Sequence, residues 1–473
     1  MQMSIYGALP GPLDVMYNAT LVKHYGIYAD EKGLSAVSSV MSILTKIGLV
    51  FSLVCITPLL DSKGRKFVSI HLRTVLGVTV AVCQICASQL DSAEFYFIAQ
   101  FVVGMAAAIQ INMNQLYLTE CAPDSHRGFV SSALLLSTLS SSVVSFFLCN
   151  PNVLGTVERW YIVSIFTLVL CLALYFCTCR FPDSPKWLVS QGRLADARQS
   201  ILYFHGKDVD VDYVLKSITS ECELKSSHTM KIREVLKDVS LRAAMVLIIA
   251  TQLQHLLSVS GVEMQFSVLV NTHLGLTAAQ SLNLSLLSRF IIAPVRLIGT
   301  TCLDKIGRRP TFFILAILSL TKVGLMTFAH LLLVTSGPSV ITISIVYINE
   351  FLSELVNATG FAVINVLLVS ELIPPMARVS VMQFTLGLAF LLSIPQNCFP
   401  FIYATWPPLY FLMLMVLQPL LIFYIFNNLP ETKDRSVCDI VNEFEQEIRT
   451  RGSTFLESTH LLPKSRAGSF YDH

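Results

Sequence analysis

The sequence predicts an all-α membrane protein, a bundle of about 12 transmembrane helices in two six-helix halves. Two observations predict it: long apolar stretches recur along the chain, and three charged motifs occur in the same order in each half. Of the 473 residues, 53% are hydrophobic and only 14% are charged, whereas a soluble protein carries about 25% charged residues. This composition argues against a soluble enzyme, and the net charge of +2 gives no reason to expect a nucleic-acid partner.

The apolar stretches have the length of membrane spans. About 20 apolar residues cross the hydrocarbon layer as a helix, because lipid offers no partners for backbone N–H and C=O groups. Residues 1–23 are interrupted by Pro10, Pro12 and Asp14, so we expect a shortened or degenerate first span there. The second to twelfth spans are predicted at residues 36–60, 68–90, 95–119, 129–149, 159–180, 241–271, 283–303, 311–335, 341–370, 379–400 and 406–428.

Basic residues concentrate in alternate loops. Arg65 and Lys66 follow the second span and Arg308 and Arg309 follow the eighth, whereas the loop at 336–340 contains neither Lys nor Arg. Loops rich in Lys and Arg stay in the cytosol. The basic loops therefore define the cytosolic side of the bundle.

Three motifs of the first half return in the second half roughly 250 residues later. The pairs are Asp61–Lys66 with Asp304–Arg309, Glu120–Arg127 with Glu371–Arg378, and Pro182–Lys186 with Pro430–Lys433. Three matches in one order indicate a duplicated unit. We therefore divide the chain into an N-terminal membrane half (1–180), a cytoplasmic linker of amphipathic helices (181–240), a C-terminal membrane half (241–429) and a cytoplasmic tail (430–473).

Each repeated motif lies at a cytosolic helix end and combines acids with arginines. Planar guanidinium groups pair with carboxylates in bidentate geometry. Such pairs would hold the two halves together on the cytosolic side and part when that side opens; the alternative is that the basic loops only fix the topology. The candidate gate residues are Asp61, Gly64, Arg65, Glu120, Arg127, Asp304, Gly307, Arg308, Arg309, Glu371 and Arg378.

These motifs, together with Tyr17-Asn18, resemble those of the major facilitator superfamily, and within it the sugar porters that include the facilitative glucose transporters. The resemblance covers about residues 17–437. It implies a major facilitator-type bundle with a central solute site and a helical cytoplasmic linker, and it implies that the acid–arginine motifs form the cytoplasmic gate. Repeated halves with a site between them are typical of alternating-access transporters.

The sugar site of that family is matched less well than its gate. In the seventh span Gln254 and Gly261 match, but Leu257 and Ser258 stand where the family has two adjacent Gln, and Glu263 stands where it has Asn. A hydroxyl left without its partner costs about 1–3 kcal/mol, and a millimolar affinity amounts to only about 4 kcal/mol. The scaffold therefore indicates a transporter, whereas glucose itself is in doubt.

Other polar residues lie inside the spans. A charge at the middle of the membrane costs about 2.5–3.5 kcal/mol, so each should face a cavity or a partner. One interpretation is a polar solute site on one helix face, formed by Gln254, Ser258, Gly261 and Gln265 at i, i+4, i+7 and i+11. The other is an internal ion pair of Arg296 with Glu263 or Glu354. The candidate solute-binding residues are Gln254, Ser258, Gly261, Glu263, Arg296 and Asn365.

The resulting interpretation is a multi-pass facilitator for a hexose or a related carbohydrate. The alternatives are a carrier of an organic anion or another metabolite, and a non-transporting sensor of the same family. Proton-coupled sugar porters usually carry Asp where this chain has Asn18, which favours uniport, although Glu263 leaves symport open.

The expected partners are a small solute and the lipid bilayer, with the protein a monomer or a weak oligomer. The 12 cysteines lie mostly in apolar stretches, so no metal or cofactor is predicted. We expect a plasma-membrane protein that is not an enzyme, with an endosomal or lysosomal membrane as the alternative.

Overall fold

The computed structural model describes residues 7–110, 114–123, 126–206, 209–226, 230, 232–359 and 361–431. These described residues form helices joined by short loops, without a strand. The predicted all-α architecture is confirmed.

The N-terminal half makes six passes. Their helices are Pro10–Thr20 with the π-helical turn Leu21–Tyr25 (first), Glu31–Cys55 and Thr57–Lys63 (second), the π-helical Phe67–Leu72 and Arg73–Leu90 (third), Ala93–Ala108 and Asn114–Cys121 (fourth), Arg127–Leu148 (fifth) and Tyr161–Thr178 (sixth).

The C-terminal half repeats this arrangement. Its helices are Val239–Leu257 and Ser260–His273 (seventh), Ala278–Ile306 (eighth), Arg308–Ser336 (ninth), Val340–Ala358 and Phe361–Leu372 (tenth), Pro375–Leu392, the 3-10 turn Pro395–Cys398 and Phe399–Thr405 (eleventh), and Pro407–Asn428 (twelfth).

The first span is a helix in spite of its prolines. Pro10 occupies its first turn, where the missing N–H has no partner within the helix in any case. Proline therefore begins this helix, whereas the sequence suggested that it interrupts one. From Pro10 to Tyr25 the described span rises about 24 Å at 1.5 Å per residue, less than the roughly 30 Å of a hydrocarbon layer.

Seven of the described helices are long and apolar enough to cross a membrane, and three shorter apolar helices lie in the fourth, fifth and seventh spans. The fourth and seventh spans are each built from two helices, which shortens their continuous apolar length. Apolar stretches alone predict eleven long spans; for the fourth and seventh, the stretch does not reveal where the helix is broken.

The described part of the linker between the halves contains four helices, Pro185–Ser190, Leu194–His205, Val211–Ser226 and Ile232–Val235. The first begins at Ser184, whose hydroxyl accepts the Trp187 N–H, as an N-cap residue does. Trp187, Ala197 and Ile201 pack into a small core of the linker itself. The linker lies next to the first gate motif, because Trp187 Nε1 donates to the Asp61 carbonyl at 3.0 Å.

Candidate functional site

The three motifs of the N-terminal half meet in one cluster, which we call the N-clasp (Asp61–Lys66, Glu120 and Asp183-Ser184). Arg65 Nε lies 3.1 Å from Glu120 Oε2, and Arg65 Nη1 lies 3.1 Å from Asp61 Oδ1. The Ser184 hydroxyl donates to the same Glu120 oxygen at 2.6 Å. Asp183 accepts the backbone N–H of Lys66 at 3.1 Å, at the start of the third span.

The C-terminal half builds the same cluster, the C-clasp (Gly307–Arg309, Glu371 and Glu431). Arg308 Nε lies 3.0 Å from Glu371 Oε1. Glu431 accepts the backbone N–H groups of Arg308 at 3.1 Å and of Arg309 at 3.2 Å. A carboxylate at a helix N-terminus is favourable, because the N–H groups there lack partners within the helix.

Both clasps depend on a glycine at the turn between two spans. Gly64 and Gly307 have φ values of 99° and 104°, in the region that favours glycine. A Cβ atom at Gly307 would also lie 2.9 Å from the Glu431 carboxylate. The glycine therefore permits both the turn and the close approach of the acid that caps the next helix.

The clasps differ from our expectation in one respect. Arg65 pairs with Glu120 inside the N-terminal half, and Arg308 with Glu371 inside the C-terminal half. The expectation that these pairs join the halves is therefore wrong for both of them. They join helix ends within each half.

Two other gate candidates bind backbone carbonyl groups. Arg309 Nη2 donates to the Phe426 carbonyl at 3.1 Å, and Arg378 Nη2 donates to the Ile373 carbonyl at 3.4 Å. The side chains of Arg127 and Asp304 lie outside the described part of the structure, so their gate roles stay predictions.

The seventh span is broken beside its polar residues. Its inner helix ends at Leu257, and Val259 adopts φ +67° before the outer helix Ser260–His273 begins. The break frees two carbonyl groups: Leu256 O accepts from Gln396 Nε2, and Leu257 O accepts from Gln418 Nε2. Amide side chains from the eleventh and twelfth spans thus stabilise the break by donating to the carbonyl groups that it frees.

This break changes the predicted solute face. Gln254 and Ser258 precede it and Gly261 follows it, so they do not share one continuous helix face. Both amide atoms of fully buried Gln254 lack a described hydrogen-bond partner. A buried amide without a partner is unfavourable. The Gln254 side chain can therefore still form hydrogen bonds with a ligand or water. The side chain of Asn365 lies outside the described residues.

Glu263 and Arg296 are already held by other protein groups. Glu263 pairs with Lys322 at 2.7 Å, a residue that the sequence analysis missed. Arg296 pairs with Glu354 at 3.0 Å, so the internal ion pair between Arg296 and Glu354 is confirmed. Arg289 lies 3.3 Å from the other oxygen of Glu354. One carboxylate thus bridges two guanidinium groups.

At the end opposite the clasps, polar contacts join the two halves. Asn150 donates to Asn283 at 2.8 Å, and the Phe401 N–H donates to the Ser39 hydroxyl at 3.3 Å. The Arg289 guanidinium lies 4.0 Å from the centroid of the Phe146 ring, a cation–π distance.

A cavity of about 130 Å³ lies between the halves at this same end. Sequence reasoning did not identify it, because its walls come from spans far apart in the chain. Its polar walls come from the first, second, seventh and eleventh spans and include Asp14, Tyr17, Glu31, Ser35, Ser38, Gln265, His273 and Tyr403.

Comparison with known proteins agrees with this architecture. The family described as "Sugar (and other) transporter" matches residues 4–444. The facilitated glucose transporter member 7 of solute carrier family 2 from Mus musculus is 22% identical, over 90% of this chain and 82% of its own length. The sugar transporter ERD6 of Arabidopsis thaliana is 28% identical, over 58% of this chain and 52% of its own length.

Among solved structures, the inward open conformation of the xylose transporter XylE from E. coli has the same fold. Its TM-score is 0.68 at 15% identity, with 93% of this chain and 96% of the other covered. The fold and the duplicated clasps define a multi-pass membrane protein of the major facilitator superfamily. Because the family match spans nearly the whole chain, the protein belongs to the sugar (and other) transporter family.

Proposed function

We propose that this protein carries a small polar solute, first a hexose or a related carbohydrate, down its gradient by alternating access. The observation that carries the proposal is the pair of matching clasps, one at the cytosolic end of each half. Each clasp makes its own half rigid on that side. Two rigid halves that can rock about a central site are what alternating access needs.

The contacts between the halves support this mechanism. The pairs Asn150–Asn283 and Ser39–Phe401 join the halves at the end opposite the clasps. A transporter in this state is held together on its outer side, and those contacts must break before a solute can enter from outside. The family's named relatives include facilitated glucose transporters, which favours a sugar as the solute.

We place the solute beside the break of the seventh span. Gln254 offers an amide without a described partner, and Ser258 is fully buried next to the break. The broken helix brings backbone groups into the interior, and in membrane proteins such irregular backbone is found where it is buried in protein or lines a cavity. Glu263 and Arg296 are less suitable, because each already has a charged partner.

An organic anion is the second candidate, because of the Arg289–Glu354–Arg296 cluster. Two guanidinium groups share one carboxylate there, and the side chain of Arg296 remains 22% exposed. An exposed guanidinium inside a membrane protein faces water or a solute. It can donate to a carboxylate as well as to sugar hydroxyl groups.

The experiment is uptake by the purified protein in liposomes. The panel contains labelled hexoses, a polyol, a sugar acid and a dicarboxylate, and protein-free liposomes serve as the background. Uptake of a hexose or a polyol that saturates with concentration would support the proposal. Uptake of the acids alone would favour the second candidate, and no uptake of any solute would refute transport. We further propose the plasma membrane as the site of action, which microscopy of the tagged full chain tests.

A further inference from the structure

Lys322 is a buried lysine in the middle of the ninth span. Its side chain is only 1% exposed. Its ammonium group lies 2.7 Å from Glu263 Oε2 and 2.9 Å from the Ser353 hydroxyl. Neither the proposed solute site nor the clasps include this residue, yet a buried charge is kept in a membrane span only with a partner or a function.

Both carboxylate oxygens of Glu263 accept hydrogen bonds within this cluster. Oε1 accepts from Asn349 Nδ2 at 2.8 Å, and Oε2 accepts from Lys322 and from Ser353. A buried ion pair is tolerated when further hydrogen bonds complete it. The cluster therefore joins the seventh span to the ninth through Lys322 and to the tenth through Asn349 and Ser353.

The position of Glu263 gives the cluster its importance. Glu263 lies in the first turn of the helix Ser260–His273, which we call the outer half-helix, four residues after Val259. The break at Val259 separates this half-helix from the inner part of the seventh span. With the helix interrupted, the side-chain contacts of Glu263 fix the broken end of the outer half-helix on its neighbours.

We propose that Lys322 is a positioning residue of the transport cycle. It holds Glu263 and thereby fastens the outer half-helix to the ninth and tenth spans, so that these three elements move as one body beside the solute. This inference rests on the proposed transport function. It predicts that loss of the Lys322 charge slows the transport cycle. Solute affinity should change little, because Lys322 is not part of the proposed solute site.

The first test is uptake kinetics of Lys322→Met and Lys322→Arg in liposomes, normalised to folded protein. We expect Lys322→Met to lower the maximal rate about tenfold while KM changes less than about twofold. Lys322→Arg keeps the charge and should stay within about threefold of the wild-type rate. An Arg variant as slow as the Met variant would overturn the proposal, as would a Met variant of normal rate.

The matched control is Thr327→Val, on the same helix. Thr327 is also buried, but among the described residues its hydroxyl bonds only to the Val323 carbonyl of its own helix. It should transport at the wild-type rate, which separates the loss of the Glu263 contact from a general response to polar-to-apolar changes in this span. Should Lys322→Met fail to fold, Glu263→Gln removes the same ion pair with an isosteric side chain and should show the same rate loss.

A second readout does not depend on transport. Amide hydrogen exchange of the outer half-helix should rise about tenfold in Lys322→Met or Glu263→Gln and stay unchanged in Thr327→Val. If the wild type moves none of the solutes, the transport proposal fails, and exchange alone decides whether Lys322 positions this half-helix. Unchanged exchange in both pair variants would overturn the positioning role even in an active transporter.

Discussion

The C-clasp gives a quantitative prediction for Glu371→Gln. The substitution removes the negative charge that Arg308 Nε meets at 3.0 Å and keeps the shape of the side chain. A hydrogen bond to a charged group contributes about 1.5–3 kcal/mol net, and breaking a fully buried pair costs about 3–5 kcal/mol. These side chains are 16% and 21% exposed, so the range for a charged hydrogen bond applies rather than that for a fully buried pair. We expect the free energy of unfolding to fall by about 2 kcal/mol.

The assay is a double-mutant cycle with Arg308→Gln, Glu371→Gln and the double variant, measured by unfolding in mixed detergent micelles. Because the two side chains contact each other directly, the two substitutions should not change the free energy of unfolding additively. We expect a coupling energy of about 1–2 kcal/mol. The matching cycle on Arg65 and Glu120 should give a similar overlap, since that pair is separated by 3.1 Å. Effects that add within about 0.5 kcal/mol in both cycles would refute the view that these pairs stabilise each half.

Three further predictions follow from other contacts. Ser258→Leu should raise KM for the transported solute several-fold, whereas Ser344→Leu on the exposed face of the tenth span should not; equal KM values in uptake assays would remove Ser258 from the solute site. Glu354→Gln should lower stability by about 3 kcal/mol in the same micelle assay, because two partly buried guanidinium groups lose their shared carboxylate. Gly104→Val should reduce the yield of folded protein in size-exclusion chromatography, because its Cβ would collide with the Thr45 carbonyl where the second and fourth spans touch. A normal yield would contradict that packing.

The clasps could be predicted from the sequence because they are duplicated. A single Gly-Arg turn carries little information, but Gly64 and Gly307 recur with acids at matching offsets in both halves. In the structure Asp183 and Glu431 take equivalent positions, where each accepts the backbone N–H of the second residue after the glycine, Lys66 or Arg309. What the motifs could not give was the partner of each arginine, because a position relative to a helix end does not say which helix lies alongside.

The predicted solute face is interrupted by a local break in the helix of the seventh span. Counting i, i+4 and i+7 places Gln254, Ser258 and Gly261 together only on an unbroken helix. Val259, a β-branched residue, adopts φ +67° between them, a conformation that such residues rarely take. Nothing in the local sequence signals this break, since the donors that hold it open, Gln396 and Gln418, come from two later spans.

Lys322 was overlooked because it lies alone in an apolar stretch and its partner Glu263 is 59 residues earlier in the chain. Helical periodicity cannot connect residues on different spans. Charge balance could have done so: a buried charge in lipid requires an opposite partner, and away from their ends the seventh to tenth spans contain equal numbers of acids and of Lys or Arg residues. Three acids and three bases favour internal pairing over a charged solute site, and the structure pairs two of these acids with all three bases. These residues are Glu263, Glu350, Glu354, Arg289, Arg296 and Lys322. The remaining acid, Glu350, accepts from the Ser285 hydroxyl at 2.6 Å, so the balance of charges predicts internal pairing but not which acid is left to a neutral donor.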